Sequence, residues 1–333
     1  MMQHQMSIIC TGSGKACGTF GELLQGVSVD GNDFLVTMPI NRFSTATFTS
    51  YDQCSDIMVY PSSKHKSKQL ADLILSHYRL PPGGMLEIES NIPVGKGLAS
   101  SSADLVATIR AVSDCFQLRL DERQTEYFLR KIEPTDGVMY SGIVSFFHRH
   151  VQLHRFLGES PLLTVLGIDE GGELDTVEFN NKPKPFSNME CREYDDMLCR
   201  MTEAIRAKDV RTIGEISTRS AIMNQKLCEK KRLDDVLAIC RQVDALGVIV
   251  AHSGTFIGIL FTESDKRHFQ QLHAARLSLL RLADEVHLFH AWNEDKKKGT
   301  AGRQCQNDEF PGRNGNGAVQ TVGAATLLYG NDQ

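Results

Sequence analysis

The sequence predicts an α+β protein, because stretches with strand character and stretches with helical periodicity both occur along the chain. Residues 34–38 and 44–49 are rich in β-branched and aromatic residues, which are typical of strands. Residues 103–116 space their apolar side chains three and four positions apart without a breaker, which is typical of a buried helix. The length of 333 residues is enough for two domains.

The individual elements follow from the same patterns and from the residues that interrupt them. Strands are predicted at residues 7–10, 34–38, 44–49, 85–89, 143–147, 162–168, 174–179, 247–251 and 256–261. Helices are predicted at residues 67–78, 103–116, 121–131, 194–207, 210–223, 233–246 and 265–283. Glycines predict a turn within 11–18, and Asp121 is a good N-cap for the helix that stops before Pro134.

Two changes of composition divide the chain. The Lys-Pro-Lys-Pro run within residues 180–185 reads as a linker, which predicts an N-terminal domain over 1–183 and a C-terminal domain over 184–292. Residues 293–333 are polar and rich in turn-forming residues, so we expect a disordered tail there.

Charge and hydropathy exclude several classes of partner. The chain has 36 Lys and Arg against 41 Asp and Glu, a formal net charge of −5, and no basic block that would favour nucleic acid or an anionic membrane. No apolar run approaches the ~18–20 residues that a membrane span needs, and residues 1–6 lack the features of a signal peptide. A cytoplasmic location is predicted, and whether the chain forms a homodimer is left open.

Neither the cysteines nor the histidines predict a metal site. The nine cysteines are odd in number and contain no CxxC pair, so we expect reduced thiols rather than zinc ligands or a disulfide framework. His148, His150 and His154 fall in one short run, which we interpret as the continuation of a strand. On such a strand His150 and His154 do not pair as they would on a helix, so surface or hydrogen-bonded histidines are expected.

Two glycine-rich segments invite comparison with phosphate-binding loops. The first, within residues 11–18, fails as a Walker A motif, because Ile9 stands where a glycine is needed and Ala16 follows the lysine. The second, residues 92–103, follows a predicted strand and opens a predicted helix. Its glycines let the backbone approach an anion, and the helix start adds partial positive charge. This second loop is the predicted phosphate site.

The string from Pro93 to Ser102 resembles the second motif of the GHMP kinase superfamily, Pro-x-Gly-x-Gly-Leu-(Gly/Ala)-Ser-Ser-(Ser/Ala), with Ala99 where glycine is commoner. The resemblance implies an ATP- and Mg²⁺-dependent kinase for a small molecule. It also implies a ribosomal-protein-like split βαβ N-terminal domain, a ferredoxin-like C-terminal domain and ATP in the cleft between them. The nucleotide-contacting residues it implies are Pro93, Val94, Gly95, Lys96, Gly97, Leu98, Ala99, Ser100, Ser101 and Ser102.

Three further strings resemble the L-threonine kinase branch of that superfamily, which makes O-phospho-L-threonine for the aminopropanol arm of cobalamin. They are Cys-Gly-Thr-Phe-Gly-Glu-Leu-Leu-Gln-Gly at residues 17–26, Glu-Pro-Thr-Asp-Gly-Val-Met-Tyr at 133–140 and Val-Ala-His-Ser-Gly-Thr at 250–255. The resemblance covers the chain from about Cys17 to Phe261 and leaves the last ~40 residues uncovered.

The chemistry of phosphoryl transfer suggests roles for the residues in these strings. Mg²⁺ needs a carboxylate and a hydroxyl, for which Glu133 and Ser102, or Ser101 in its place, are the candidates. Asp136 is the candidate that orients or deprotonates the attacking alcohol, and Lys96 is a second catalytic candidate. The candidates for the amino acid itself are Glu22, Gln25, Ser253, Gly254 and Thr255, with Arg42 as a further partner for its carboxylate.

Two other functions stay open at this point. One is a kinase for another amino acid or amino alcohol, such as homoserine. The other is a nucleotide-binding protein that has lost catalysis, for which Ala99 and the unusual tail are the hints.

Overall fold

A computed structural model describes residues 7–172 and 184–293, which belong to one compact unit. Its strands form one sheet in the order β10-β7-β9-β8-β1-β2-β4-β3, and β5 pairs with both β2 and β6. The strands are β1 (Ile8–Val27), β2 (Asp33–Tyr51), β3 (Ile57–Tyr60), β4 (Gly84–Ser90), β5 (Ile143–Phe147), β6 (Gln152–Gly158), β7 (Leu163–Asp169), β8 (Gly247–Val250), β9 (Phe256–Thr262) and β10 (His287–His290).

The described residues also form seven helices. They are α1 (His65–Tyr78), α2 (Ser100–Cys115), α3 (Glu122–Leu129), α4 (Asn188–Ala207), α5 (Val210–Asn224), α6 (Leu233–Gln242) and α7 (His268–Leu279). None of these described helices combines the length and the apolar character needed to cross a membrane. The predicted α+β class is confirmed by this mixture of helices and a largely antiparallel sheet.

Most predicted elements are present, with shifts at their ends. Asp121 caps α3 as predicted, since its side chain accepts a hydrogen bond from the Gln124 N–H. The helices predicted at 233–246 and 265–283 are shorter, and β3, β6 and β10 were not predicted. The histidine run does not continue a strand, because β5 ends at Phe147 and a turn leads into β6.

The glycine-rich turn predicted within residues 11–18 is wrong, because β1 runs through it without a break. Gly12 and Gly14 lie against α2 instead of bending the chain. A Cβ on Gly12 would lie 2.1 Å from the Cys115 nitrogen, and one on Gly14 would lie 2.2 Å from the Ala107 oxygen. Glycine is therefore needed here because it lets a helix backbone rest directly on the strand.

The expectation that all the cysteines are reduced is also wrong. Cys10 on β1 and Cys115 at the end of α2 form a disulfide with a Cα–Cα distance of 5.5 Å. The partners are 105 positions apart in sequence, so their proximity comes from the packing of α2 on β1. Five other cysteines of the described residues are free thiols: Cys54, Cys191, Cys199, Cys228 and Cys240.

The boundary predicted at residues 180–185 stays a prediction. The strand predicted at 174–179, most of the linker and residues 294–333 of the predicted tail lie outside the described residues. The sheet itself continues from one side of the boundary to the other, where Glu22 of β1 pairs with Val250 of β8.

The packing of β1 on α2 leads to a stability prediction. A methyl group at Gly14 would overlap the Ala107 carbonyl, so α2 would have to move away from β1. We expect Gly14→Ala to lower the free energy of unfolding by about 1–3 kcal/mol, as overpacking does in other cores. Urea denaturation followed by circular dichroism measures this change.

The matched control is Gly31→Asn in the β1–β2 turn. No atom lies within 4 Å of a Cβ built there, and Asn tolerates the positive φ of 80°. Equal losses of stability in the two variants would contradict the explanation from close packing.

Candidate active site

The loop between β4 and α2 presents backbone N–H groups instead of side chains. Gly95 and Gly97 have φ angles of 73° and 77°, and Ala99, the N-cap of α2, has a φ of 60°. No side chain caps this helix start. The first N–H groups of α2 and the positive end of its dipole therefore remain available for an anion.

A pocket of about 260 Å³ opens beside this loop and contains most of the predicted residues. The predicted residues that line it are Glu22, Gln25, Val94, Gly95, Gly97, Leu98, Ala99, Ser100, Ser101, Ser102, Glu133, Asp136 and Ser253. Pro93, Lys96, Gly254 and Thr255 lie beside the pocket and are not among its lining residues within the described chain.

Lys96, Gly254 and Thr255 hold the loop in place. The Lys96 ammonium group contacts Asp169 at 2.8 Å and the Gly172 carbonyl at 2.7 Å. The Thr255 N–H donates to the Lys96 carbonyl, and a Cβ on Gly254 would lie 2.1 Å from that same oxygen. Within the described structure these residues therefore support the loop backbone and do not line the pocket.

Arg42 lies apart from the pocket. Its guanidinium group donates to the Leu288 carbonyl at 3.2 Å and lies over the Phe289 ring at 5.1 Å. These contacts tie β2 to β10.

Glu133 lies between a hydroxyl group and a cation. The Ser101 hydroxyl donates to its Oε1, and the Lys66 ammonium group contacts its Oε2. Carboxylate and hydroxyl oxygens are the ligands that Mg²⁺ takes, so the donor set fits this metal. The pairing differs in detail from the predicted one, because Ser101 and not Ser102 contacts Glu133.

Ser102 is bonded to Asp136 instead. Its hydroxyl oxygen accepts from the Asp136 N–H at 3.1 Å, and its proton is donated to Asp136 Oδ2 at 3.2 Å. Burial of the Asp136 carboxyl group, reinforced by the negative charge of Glu22, raises its pKa to about 7, although the Ser102 hydrogen bond opposes the rise. A carboxyl group with this pKa exchanges protons near neutral pH.

Glu22 and Gln25 lie on β1 at the inner end of the pocket and are nine-tenths or more buried. Glu22 Oε2 accepts from the His252 backbone N–H at 3.1 Å and from its ring Nδ1 at 2.9 Å. The Gln25 side-chain oxygen is buried and has no hydrogen-bond donor among the described residues. A buried acceptor without a donor is costly, so it marks a place where a ligand N–H group fits.

The sequence analysis gave no role to several residues at the site. Lys66 on α1 and His148, buried in the turn after β5, line the pocket, and His252, which follows β8, contacts Glu22 from outside its lining. His252 stands inside the quoted Val-Ala-His-Ser-Gly-Thr string, so that string was the available signal for it. No pattern in the sequence singled out Lys66.

The environment of Asp136 leads to a prediction about stability. A carboxyl group whose pKa is raised on folding binds its proton more tightly in the native state, so its contribution to stability is lost as the pH rises from about 4 to 7. Asp136→Asn removes this loss and keeps an acceptor for Ser102. We expect the variant to be more stable than the wild type at pH 8 by about 1–3 kcal/mol, with a smaller gain at pH 5.

Denaturant titrations of both proteins at the two pH values measure the gain. The exposed carboxylate Asp196, on α4, provides the control Asp196→Asn, for which no such dependence is expected. A gain that is equal at pH 5 and pH 8 would contradict the assignment to Asp136.

Comparison with known proteins agrees with this geometry. The model of the GHMP kinases N terminal domain matches residues 65–145, and the model of the GHMP kinases C terminal region matches residues 201–275. The L-threonine kinase of Citrobacter freundii is 29% identical over 250 residues, which is 72% of this chain and 83% of that protein. The L-threonine kinase of Salmonella typhimurium is 28% identical over 253 residues, which is 74% of this chain and 81% of that protein.

Solved structures support the fold. A homoserine kinase from Cytophaga hutchinsonii matches with a TM-score of 0.65 and 16% identity, over 88% of this chain and 98% of that one. The mevalonate kinase of Methanococcus jannaschii matches with a TM-score of 0.63 and 18% identity, over 87% of this chain and 100% of that one.

The predicted family and fold are confirmed by these matches. The likeness to the L-threonine kinase branch is confirmed by the two relatives that match over most of the chain. The two domain matches contain most of the pocket residues, and the chain belongs to the GHMP kinase superfamily and is an ATP-dependent phosphotransferase with an alcohol group as acceptor.

Proposed function

We propose that the protein transfers the γ-phosphoryl group of ATP to the side-chain hydroxyl of L-threonine, which gives O-phospho-L-threonine and ADP. One observation carries the proposal: a single pocket joins the phosphate loop, the carboxylates Glu133 and Asp136, and the buried acceptors Glu22 and Gln25. The two L-threonine kinases that resemble the chain support an amino acid as the acceptor.

The donor side of the pocket is the loop and the start of α2. Its N–H groups bind the phosphate oxygens, and the lack of a side-chain cap keeps them free for this role. Glu133 and Ser101 would hold Mg²⁺, which would neutralise negative charge on the phosphate oxygens during the transfer. Lys66 adds a positive charge on the same wall.

Asp136 acts on the acceptor hydroxyl. Its Oδ2 is fixed by Ser102, and its raised pKa makes it a stronger base than an ordinary aspartate. A base whose pKa lies near the working pH suits general base catalysis. Asp136 therefore orients the threonine hydroxyl towards the phosphate loop and takes up its proton as the new bond forms.

The amino acid is bound at the inner end of the pocket. Both contacts of Glu22 with His252 use Oε2, which leaves Oε1 for the α-ammonium group, and the Gln25 oxygen accepts a second N–H. Ser253 lies on the pocket wall as a donor for the carboxylate, and Leu35 provides an apolar contact for the threonine methyl group. Gly254 and Thr255 act through the loop that they support.

The acceptor is tested by comparing amino acids. We expect kcat/KM to be highest for L-threonine, and roughly tenfold lower for L-serine, because one methyl group in an apolar contact is worth about 1–3 kcal/mol. N-acetyl-L-threonine should be a poor substrate, since it lacks the ammonium group. Coupled ADP release gives the rates, and phosphorus NMR identifies the product.

Two other outcomes of this comparison of amino acids would contradict L-threonine as the acceptor. A higher kcat/KM for L-homoserine than for L-threonine would identify L-homoserine as the substrate. ATP binding without turnover of any acceptor would favour a protein that has lost catalysis.

The role of Asp136 is tested by the pH dependence of the rate. Because the ionised form is the base, kcat/KM for L-threonine should fall about tenfold per pH unit below pH 7 and level off above it. Asp136→Asn should lower kcat by about 10²–10⁴-fold and remove this pH dependence. Asp196→Asn serves again as the control and should keep the wild-type profile. A profile for Asp136→Asn with the same midpoint as the wild type would assign the pH dependence to another group.

A further inference from the structure

Glu22 and Gln25, the two acceptors at the inner end of the pocket, are held in place by a buried hydrogen-bonded group of two residues, His252 and Ser220. His252 is 1% exposed, and its ring contacts Glu22 through Nδ1 and the Ser220 hydroxyl through Nε2, at 2.9 and 2.8 Å. Ser220 lies on α5, is fully buried, and its hydroxyl oxygen accepts from the Gln25 backbone N–H at 3.1 Å. The group therefore connects the backbone of Gln25 with the side chain of Glu22.

The partners of the His252 ring decide which nitrogen carries the proton. Nδ1 lies 3.1 Å from the Val250 carbonyl oxygen, which can only accept, and 2.9 Å from Glu22 Oε2. Nδ1 is therefore the donor. With its proton on Nδ1, the neutral ring has an acceptor at Nε2, to which the Ser220 hydroxyl donates while its oxygen accepts from the Gln25 backbone N–H. The neutral ring with its proton on Nδ1 satisfies every one of these contacts.

The backbone around His252 is fixed as well. The Asn224 side chain, on α5, donates to the His252 carbonyl at 3.2 Å. The His252 N–H donates to Glu22, and the next residue, Ser253, lines the pocket. The ring cannot turn without breaking contacts to β1 and to α5. Glu22 consequently has one orientation, with Oε2 bound and Oε1 left for the pocket.

We propose that His252 and Ser220 are positioning residues that hold Glu22 and Gln25 as a preformed binding site for the ammonium group of the amino acid. The inference rests on the proposed function, because it takes an amino acid as the acceptor. Neither residue touches the substrate in this arrangement. Because they hold both acceptors in place beforehand, binding does not include the free-energy cost of ordering these two side chains. The affinity for the amino acid rises although no new contact is made.

The position of the group explains why it is needed. Glu22 lies on β1, in the part of the chain that precedes both domain matches, whereas His252 and Ser220 lie within the C-terminal match at residues 201–275. At this point β1 and β8 pair through Glu22 and Val250. His252 adds a side-chain link across this pair of strands. It thereby fixes the position of the Glu22 carboxylate relative to Ser253, the next residue after His252 and a residue of the pocket wall.

Two substitutions of His252 separate its two hydrogen bonds. An Asn amide can place a donor where Nδ1 lies, whereas a Gln amide reaches the position of Nε2. We expect His252→Asn to raise the KM for L-threonine by no more than about threefold, because a donor to Glu22 remains. His252→Gln should raise it by about 10- to 100-fold, because the side-chain donor to Glu22 is lost.

Ser220→Ala tests the other end of the group, and Ser217→Ala is its matched control. Both serines are buried on α5, but the Ser217 hydroxyl donates to the Val248 carbonyl and does not contact His252. We expect Ser220→Ala to raise the KM for L-threonine about five- to tenfold and Ser217→Ala to leave it within twofold. The KM for ATP should stay within about twofold in all four variants, because the phosphate loop is not altered.

A second substrate gives the decisive comparison. The preference for L-threonine over N-acetyl-L-threonine should shrink about tenfold in His252→Gln and stay close to the wild-type value in Ser217→Ala. An equal rise in KM for ATP and L-threonine, an unchanged preference, or equal effects of the two serine variants would overturn the proposal.

A measurement that needs no turnover separates this inference from the proposed function. Nitrogen NMR of ¹⁵N-histidine-labelled protein, with His252→Asn used to assign the signals, reports the protonated ring nitrogen. A proton on Nδ1 of His252 is expected, and a proton on Nε2 would overturn the positioning role. If the wild type phosphorylates no amino acid, the proposed function fails, and the ammonium site fails with it even where the proton is found on Nδ1.

Discussion

The structure depends on places where backbones meet without side chains between them. Gly14 brings β1 onto α2, Gly21 brings β1 within reach of Val250, and Gly97 lies against Gly254. In each place a Cβ would come within 2.2–2.8 Å of a neighbouring atom. These contacts are hard and local, because atoms at van der Waals distance leave no room for adjustment. They set the distance between the helix start, the strand that carries Glu22 and the loop that carries Ser253.

Electrostatics then act within this fixed frame. Glu22, Glu133 and Asp136 line one small pocket, and the negative charges of Glu22 and Glu133 add to burial, the largest cause, in raising the pKa of Asp136. The positive potential that offsets these carboxylates comes from Lys66, from the start of α2 and from the hydroxyl groups of the serine run. A chain of net charge −5 can thus bind a polyanion, because the local potential and not the total charge decides.

The sequence was most informative where function and local structure coincide. The loop at residues 92–103 and the Glu-Pro-Thr-Asp string were predicted, because their glycines, helix start and carboxylates are contiguous in sequence and have a chemical reason to be so. The contacts of Lys66 and His252 could not be predicted, since they depend on which helix packs against which strand. The glycines of β1 were misread for a related reason. In sequence, a glycine that bends the chain is indistinguishable from a glycine on which a helix rests.

The disulfide between Cys10 and Cys115 divides the site topologically. It closes a ring that contains Glu22, Gln25 and the whole phosphate loop, whereas Glu133, Asp136 and His252 lie on the open chain beyond it. In the chain-entropy description, closing a ring of ~100 residues lowers the entropy of the denatured state and so raises its free energy by about 4.7 kcal/mol. When the oxidised chain unfolds, the phosphate loop, Glu22 and Gln25 therefore stay within a closed loop of limited span. Glu133, Asp136 and His252 are not confined in this way, so on refolding they must be brought back to the site over a larger range of distances.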